Sequence, residues 1–166
     1  VPLMWAGDQM VNYAQQDGMP NALKGILAGG ISGAPLWHSD IGGYTSVNAA
    51  VTNFIRPPQL NARWAEMEAF GVVMRTHETN RPTLNQQVYD TPQTRAQFAR
   101  ASQIYAALRD YRTAVIQEAV QKGIPAMRSG WQVYPARTRR RLTRSSSSGT
   151  TCWWRPCTRR TQPPRR

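Results

Sequence analysis

Apolar residues fall along this chain in short blocks separated by polar turns, and the spacing inside the blocks differs. Residues 1–6 form an unbroken apolar run, VPLMWA, that stops at Gly7-Asp8, the pattern of a buried strand. A second run, Ala34-Pro35-Leu36-Trp37, stops at His38-Ser39-Asp40. A third covers 71–77, is β-branched at Val72 and Val73, and ends in Arg75-Thr76-His77. Residues 21–31 and 59–70 carry apolar positions at helical spacing. Gly25, Gly29 and Gly30 weaken the first of these, whereas Leu60, Trp64 and Met67 share one face of the second. Trp64 on that face predicts core packing. Residues 80–93 have loop composition. The strongest helical pattern spans 94–122, where Phe98, Ile104, Leu108, Tyr111, Val115 and Val120 recur until Gly123-Ile124-Pro125 stops it. Strand–helix–strand–helix–strand predicts a parallel α/β sheet or barrel, with functional groups gathered where strands end.

Charge changes this picture in one place. The chain has 166 residues, enough for one domain with a sizeable core, and a net charge of +12. That balance would suggest a nucleic-acid binder, but the charge is not spread over the chain. Residues 1–134 hold 11 Lys/Arg against 9 Asp/Glu, a net of +2, and no cysteine. Residues 135–166 hold 10 Arg, no acid, and both cysteines, Cys152 and Cys157. The first part therefore reads as an ordinary, nearly neutral globular sequence. No run approaches the roughly 18 apolar residues of a membrane span. No charged segment precedes an apolar run, so no signal peptide is read, and a cytoplasmic setting is the expectation. Val1 is not an initiator Met, and the chain is expected to begin within something larger.

The three strand ends present Asp8-Gln9, Asp40 with Tyr44, and Arg75 with His77. On adjacent strands these groups would face one pocket. A carboxyl able to shuttle a proton, a hydroxyl, an Arg and a His suit a polyhydroxylated or anionic ligand. Trp5 and Trp37 could add a flat apolar platform. In the run 38–45, Gly42-Gly43 permits a sharp turn and close approach of a ligand; a plain surface turn, with Asp40 capping a helix from Val47, fits that octet alone equally well. Gly29-Gly30 and Gly42-Gly43 lack the spacing of a P-loop or dinucleotide fingerprint.

Three ordered motifs carry a family resemblance. Trp5-Ala6-Gly7-Asp8-Gln9, His38 to Thr45, and Met74-Arg75-Thr76-His77-Glu78 with Asn80-Arg81-Pro82 resemble glycoside hydrolase family 31, and within it the sulfoquinovosidase branch, with α-glucosidases as the wider group. The likeness runs over about residues 3–134. It implies a partial (β/α)8 TIM barrel, its last three strand–helix units lying in residues 1–128 and followed by a long helix. Residues 129–134 would then open a truncated β-domain. The resemblance implies retaining hydrolysis of an O-glycosidic bond, with sulfoquinovosides or α-glucosides as substrates and no cofactor or metal. Asp8 is implied as general acid/base. His77, Tyr44, Asp40, Gln9 and Trp5 are implied as substrate-binding residues, and Arg75 as an ion-paired support. Tyr44 is similar to the tyrosine that helps sulfoquinovosidases hold the sulfonate. The nucleophilic aspartate of the family lies on a strand before Val1, so the chain alone is expected to be inactive. Thr79 departs from the pattern, standing where Gly is usual.

Residues 135–166 offer too little apolar material to offset the entropy of ordering, and are expected to form a disordered basic tail. A nucleic-acid-binding arm is the alternative functional reading, and Cys152 with Cys157 makes a weak zinc signal. The genetic code points elsewhere. Trp is TGG and Cys is TGT or TGC, so Cys152-Trp153-Trp154 read one base earlier must contain Leu-Val, with Ala following if Arg155 is CGN. Suitable codons spell Leu-Leu-Val-Ala-Pro, which resembles the stretch expected here in the family. The tail is thus expected to be an out-of-frame reading of a GC-rich gene, shifted between Tyr134 and Ser145.

Overall fold

The computed structural model describes residues 1–133. Every expectation for 135–166, including the basic arm, the Cys152 and Cys157 pair and the frame change, lies outside the described residues. The described residues divide into two units, Val1–Met127 and a second that begins at Arg128.

In the first unit, β1 (Leu3–Trp5) is followed by α1 (Met19–Ile31), β2 (Leu36–His38), β3 (Asp40–Ile41), β4 (Val47–Asn48) and β5 (Asn53–Phe54). Next come α2 (Pro58–Glu68), β6 (Arg75–Thr76), a 3-10 turn at Pro82–Leu84, α3 (Pro92–Ala107) and α4 (Arg109–Lys122). Strand β1 lies parallel to β2, with Leu3 opposite Leu36 and Trp5 opposite His38. Strand β3 lies parallel to β6, with Asp40 opposite Arg75. Helix α1 links the first pair and α2 falls between the members of the second, the crossover that parallel pairing requires. Strands β4 and β5 form an antiparallel hairpin between β3 and α2. In the second unit, α5 (Gly130–Val133) occupies the stretch expected to open a β-domain, and the amide of Ser129 donates to Oε1 of Gln132 at 2.8 Å.

The core forms where α2 packs on α3 beneath the strand ends. Leu60, Trp64, Ala65 and Ala69 from the α2 region meet Ile41, Val11, Ala22 and Ala101, with Met67, Met74 and Phe98 packed against them. Trp64 is fully buried, as its helix face predicts. A second cluster joins Leu36 of β2, Val72 and Ala119 of α4. Helix α3 starts on a capping box between Thr91 and Thr94, with Pro92 in the first turn. Among the described residues no helix is long and apolar enough to cross a membrane.

Four expectations need correction. The single helix over 94–122 is two helices, broken at Leu108. The guanidinium of Arg112 lies 3.4 Å over the Tyr105 ring and donates to the Tyr105 carbonyl at 2.8 Å, an acceptor that the Arg109 amide would use in a continuous helix. The buried stripe there is carried by Ala101 and Ala119, while Ile104 and Val120 face solvent. Strand β1 is half exposed rather than buried, Leu3 at 46% and Trp5 at 45%, whereas its partner β2 is buried at Leu36 and His38. Val47 begins a hairpin strand, not a helix.

Candidate functional site

Asp40 is the anchor of the strand ends. Its parallel register places it beside Arg75, whose Nε donates to Oδ1 at 2.7 Å, while Trp5 Nε1 donates to Oδ2 at 3.2 Å. Asp40 is fully buried and Arg75 is half exposed, with its guanidinium 5.6 Å over the Trp5 ring. Both carboxylate oxygens of Asp40 are therefore engaged by protein, which ties β3 to side chains of β1 and β6.

After Asp40 the chain turns sharply. The amide of Gly43 donates to the Asp40 carbonyl at 2.9 Å, with Gly42 at φ +86° and Gly43 at φ +74°, values that only glycine adopts without strain. This turn delivers Tyr44 to the end of the first strand region. The amides of Tyr44 and Thr45 both donate to the Gln9 carbonyl at 2.9 Å, and the Thr45 hydroxyl donates to the Asp8 carbonyl at 2.9 Å. The backbone that carries Asp8 and Gln9 is thus tied to the backbone that carries Tyr44. The Asp8 side chain is exposed, while Gln9 is buried and its amide nitrogen donates to the Ala6 carbonyl.

His77 completes the group. Its ring meets that of Tyr44 edge-on, centroids 4.8 Å apart at 88°. The Thr79 amide donates to His77 Nδ1 at 3.1 Å, which leaves Nε2 as the protonated, donating nitrogen of the neutral ring. The Asn80 side chain then ties this loop to Ser46, its Oδ1 accepting from the Ser46 amide at 2.9 Å. The structure brings Trp5, Asp40 and Arg75 into one contact group, Tyr44 and His77 into another, and links Asp8 and Gln9 to the second through the backbone. A carboxyl, a phenol and an imidazole N–H at adjoining strand ends can donate protons and hydrogen-bond a hydroxylated ligand. Among the described residues no three His, Cys, Asp or Glu side chains come together as a metal site.

Two buried charged residues escape the sequence pattern. Arg56, 2% exposed, sends Nη1 to the carbonyls of His77 at 2.8 Å and Gly43 at 3.2 Å, where it joins the loops that carry His77 and Tyr44. Burial lowers its pKa to about 10, with the charge of Asp90 opposing. Its sequence clue is faint: an arginine between Ile55 and Pro57-Pro58 with no neighbouring acid. Glu68, at the end of α2, accepts from the Ser39 hydroxyl at 2.5 Å, and Ser39 accepts from Trp64 Nε1 at 2.9 Å. Burial pushes the Glu68 carboxyl up to about 7, against the pull of the Ser39 hydrogen bonds. Burial, then the charge of Arg75, lowers the pKa of His38.

The profile of the family described as the glycosyl hydrolases family 31 TIM-barrel domain matches residues 1–113. The chain is 44% identical over 127 residues to the sulfoquinovosidase of Agrobacterium fabrum, covering 76% of this chain and 18% of that protein. It is 37% identical over 126 residues to the sulfoquinovosidase of Escherichia coli K12, with the same two shares of 76% and 18%. Among solved structures, a family 31 sulfoquinovosidase from E. rectale in complex with the aza-sugar inhibitor IFGSQ superposes with a TM-score of 0.75 at 41% identity, over 80% of this chain and 19% of that one. The chain thus spans less than a fifth of the length of these relatives.

Proposed function

The chain belongs to glycosyl hydrolase family 31, and we propose that its first 128 residues are the last three strand–helix units of a retaining α-glycosidase barrel acting on sulfoquinovosides. The observation that carries this reading is the 41% identity to a sulfoquinovosidase that holds an aza-sugar inhibitor, joined to the edge-on pairing of Tyr44 with His77. In this reading Asp8 protonates the leaving oxygen of the glycoside and then takes a proton from the incoming water. A second carboxylate, contributed from outside these 166 residues, attacks the anomeric carbon from about 5–5.5 Å away. His77 Nε2–H donates to a sugar hydroxyl, Tyr44 holds the sulfonate side of the ring, and Gln9 and Trp5 line the same end. Asp40 and Arg75 keep the floor ordered.

Alone, the chain would then turn over no glycoside. The test is to exchange residues 1–127 into the Agrobacterium enzyme in place of its matching segment. The chimera is expected to hydrolyse a nitrophenyl α-sulfoquinovoside in preference to the α-glucoside, and Asp8→Asn to slow alkyl sulfoquinovosides far more than nitrophenyl ones. A folded chimera that prefers the glucoside would overturn the substrate reading. Unchanged rates in the Asp8 variant would remove Asp8 from the acid/base role.

A further inference from the structure

A guanidinium lies almost wholly inside this fold, and among the described residues its hydrogen-bond acceptors are all neutral. Arg56 is 2% exposed. Its Nε donates to the Gln86 carbonyl at 2.9 Å, its Nη2 to Gln87 Oε1 at 2.7 Å, and its Nη1 to the carbonyls of His77 at 2.8 Å and Gly43 at 3.2 Å. Its own amide donates to Asn85 Oδ1 at 2.8 Å. A buried charge is costly unless its donors are satisfied, and here each guanidinium nitrogen reaches a different acceptor group. Nη1 bridges two segments far apart in sequence: the glycine turn directly before Tyr44, and His77 itself.

Two further features show that the surroundings are built around this side chain. A Cβ at Gly42 would come within 2.6 Å of Arg56 Cδ and would also strike Asn61 Oδ1. Asn61 in turn donates to the Gln86 carbonyl at 2.7 Å, the acceptor that Arg56 Nε uses. The Gln87 side chain, besides accepting from Arg56, donates to the Glu78 carbonyl at 3.0 Å, next to His77.

We infer that Arg56 is a positioning residue that holds Tyr44 and His77 in fixed relation, joining two strand-end loops into one recognition surface. The inference rests on the reading of Tyr44 and His77 as sugar-binding groups. The planar fork matters as much as the charge. Its nitrogens diverge toward three segments, whereas a lysine presents all its protons from one atom and cannot span them.

The chain has two histidines, and that gives a test with an internal reference. Nitrogen–proton correlation spectra of the histidine rings in the whole 166-residue chain report both at once. His77 is expected to show an accepting Nδ1 and the ring shift of a neighbouring tyrosine. Arg56→Lys should abolish both signatures at His77 and leave the His38 signals in place. Gln87→Leu, which removes only the acceptor of Nη2, should shift His77 in the same direction by less, and it decides the matter if Arg56→Lys does not fold. A His77 spectrum unchanged in the folded variants would overturn the inference, as would a His38 shift as large as that of His77, which marks general loosening. No sugar enters this experiment, so its failure falls on the clamp, whereas failure of the chimera falls on the substrate reading.

Discussion

The amide of Thr79 donates to His77 Nδ1 at 3.1 Å from a left-handed backbone, φ +81°. Thr79 is the one non-glycine residue with positive φ among the described residues, and it stands where the family resemblance calls for glycine. The hydrogen bond that orients His77 is thus made by a β-branched residue in a conformation that disfavours it. Such strain costs of order 1–3 kcal/mol and persists where the surroundings over-determine it.

Replacing that residue by the family's own choice should relieve the strain. Thr79→Gly keeps the N–H that His77 uses, loses a weak bond from the Arg81 amide to the hydroxyl at 3.2 Å, and adds glycine's entropy cost of about 0.5–1 kcal/mol. Strain relief outweighs these terms, giving a net gain of about 1 kcal/mol. Urea denaturation of the two chains checks the sign, and a lower midpoint for the glycine variant would rule the strain argument out.

The Asp40–Arg75 pair predicts an unequal response to losing either partner. Arg75 is 45% exposed and Asp40 is at 0%. Arg75→Met strands a buried carboxylate whose remaining side-chain donor, among the described residues, is the Trp5 indole, at a cost of roughly 3–5 kcal/mol. Asp40→Asn leaves an arginine that can turn to water, at a cost of about 1–2 kcal/mol. The double variant should recover much of the first loss. Equal costs for the two single changes would mean that the carboxylate is not sealed from solvent.

Glu68 gives the fold a pH dependence of unusual sign for an acid. Its folded pKa is raised from 4.5 to about 7 by burial, so the folded state binds a proton that the unfolded chain has released. The carboxyl imposes no penalty below pH about 4.5, and stability falls as pH rises through about 7. The full span corresponds to at most about 3 kcal/mol. Glu68→Gln should flatten the profile and exceed the native chain at pH about 8 while matching it near pH about 5. Parallel profiles for both chains would place the titration elsewhere.

How much of this was readable from the residues depended on where the information resides. Asp8, Asp40, Tyr44 and His77 stand at the ends of apolar runs, and strand ends are where α/β folds gather chemistry, so pattern alone marks them as candidates. The Asp40–Arg75 contact follows from the register of two parallel strands, and the face of Trp64 from helical spacing. Arg56 left almost no trace, because most of its partners are main-chain carbonyls that no side-chain motif encodes. The break at Leu108 was hidden for a related reason: no Gly or Pro marks it, and it rests on Arg112 capping the Tyr105 carbonyl. The exposure of β1 could not be read either, since the apolar runs of β1 and β2 look alike although only β2 is buried.

Gly42 allows the clamp beneath the site to be separated from backbone strain. Its φ of +86° and the +99° of Gly33 both lie in the left-handed region, yet a Cβ at Gly33 meets nothing within 4 Å, whereas one at Gly42 meets the Arg56 side chain at 2.6 Å. Gly33→Ala therefore reports strain alone, about 1–2 kcal/mol. Gly42→Ala adds displacement of a buried guanidinium from the carbonyls it satisfies, which should bring the loss to more than about 4 kcal/mol. The two variants compared by urea denaturation separate side-chain displacement, of Asn61 and Arg56 together, from backbone strain. Equal losses would mean that Arg56 moves aside freely, and a side chain that moves freely cannot fix His77 against Tyr44. A larger loss at Gly42 that persists when Asn61 is truncated to alanine in both chains is the result expected of an arginine held in place by the same carbonyls it is inferred to position.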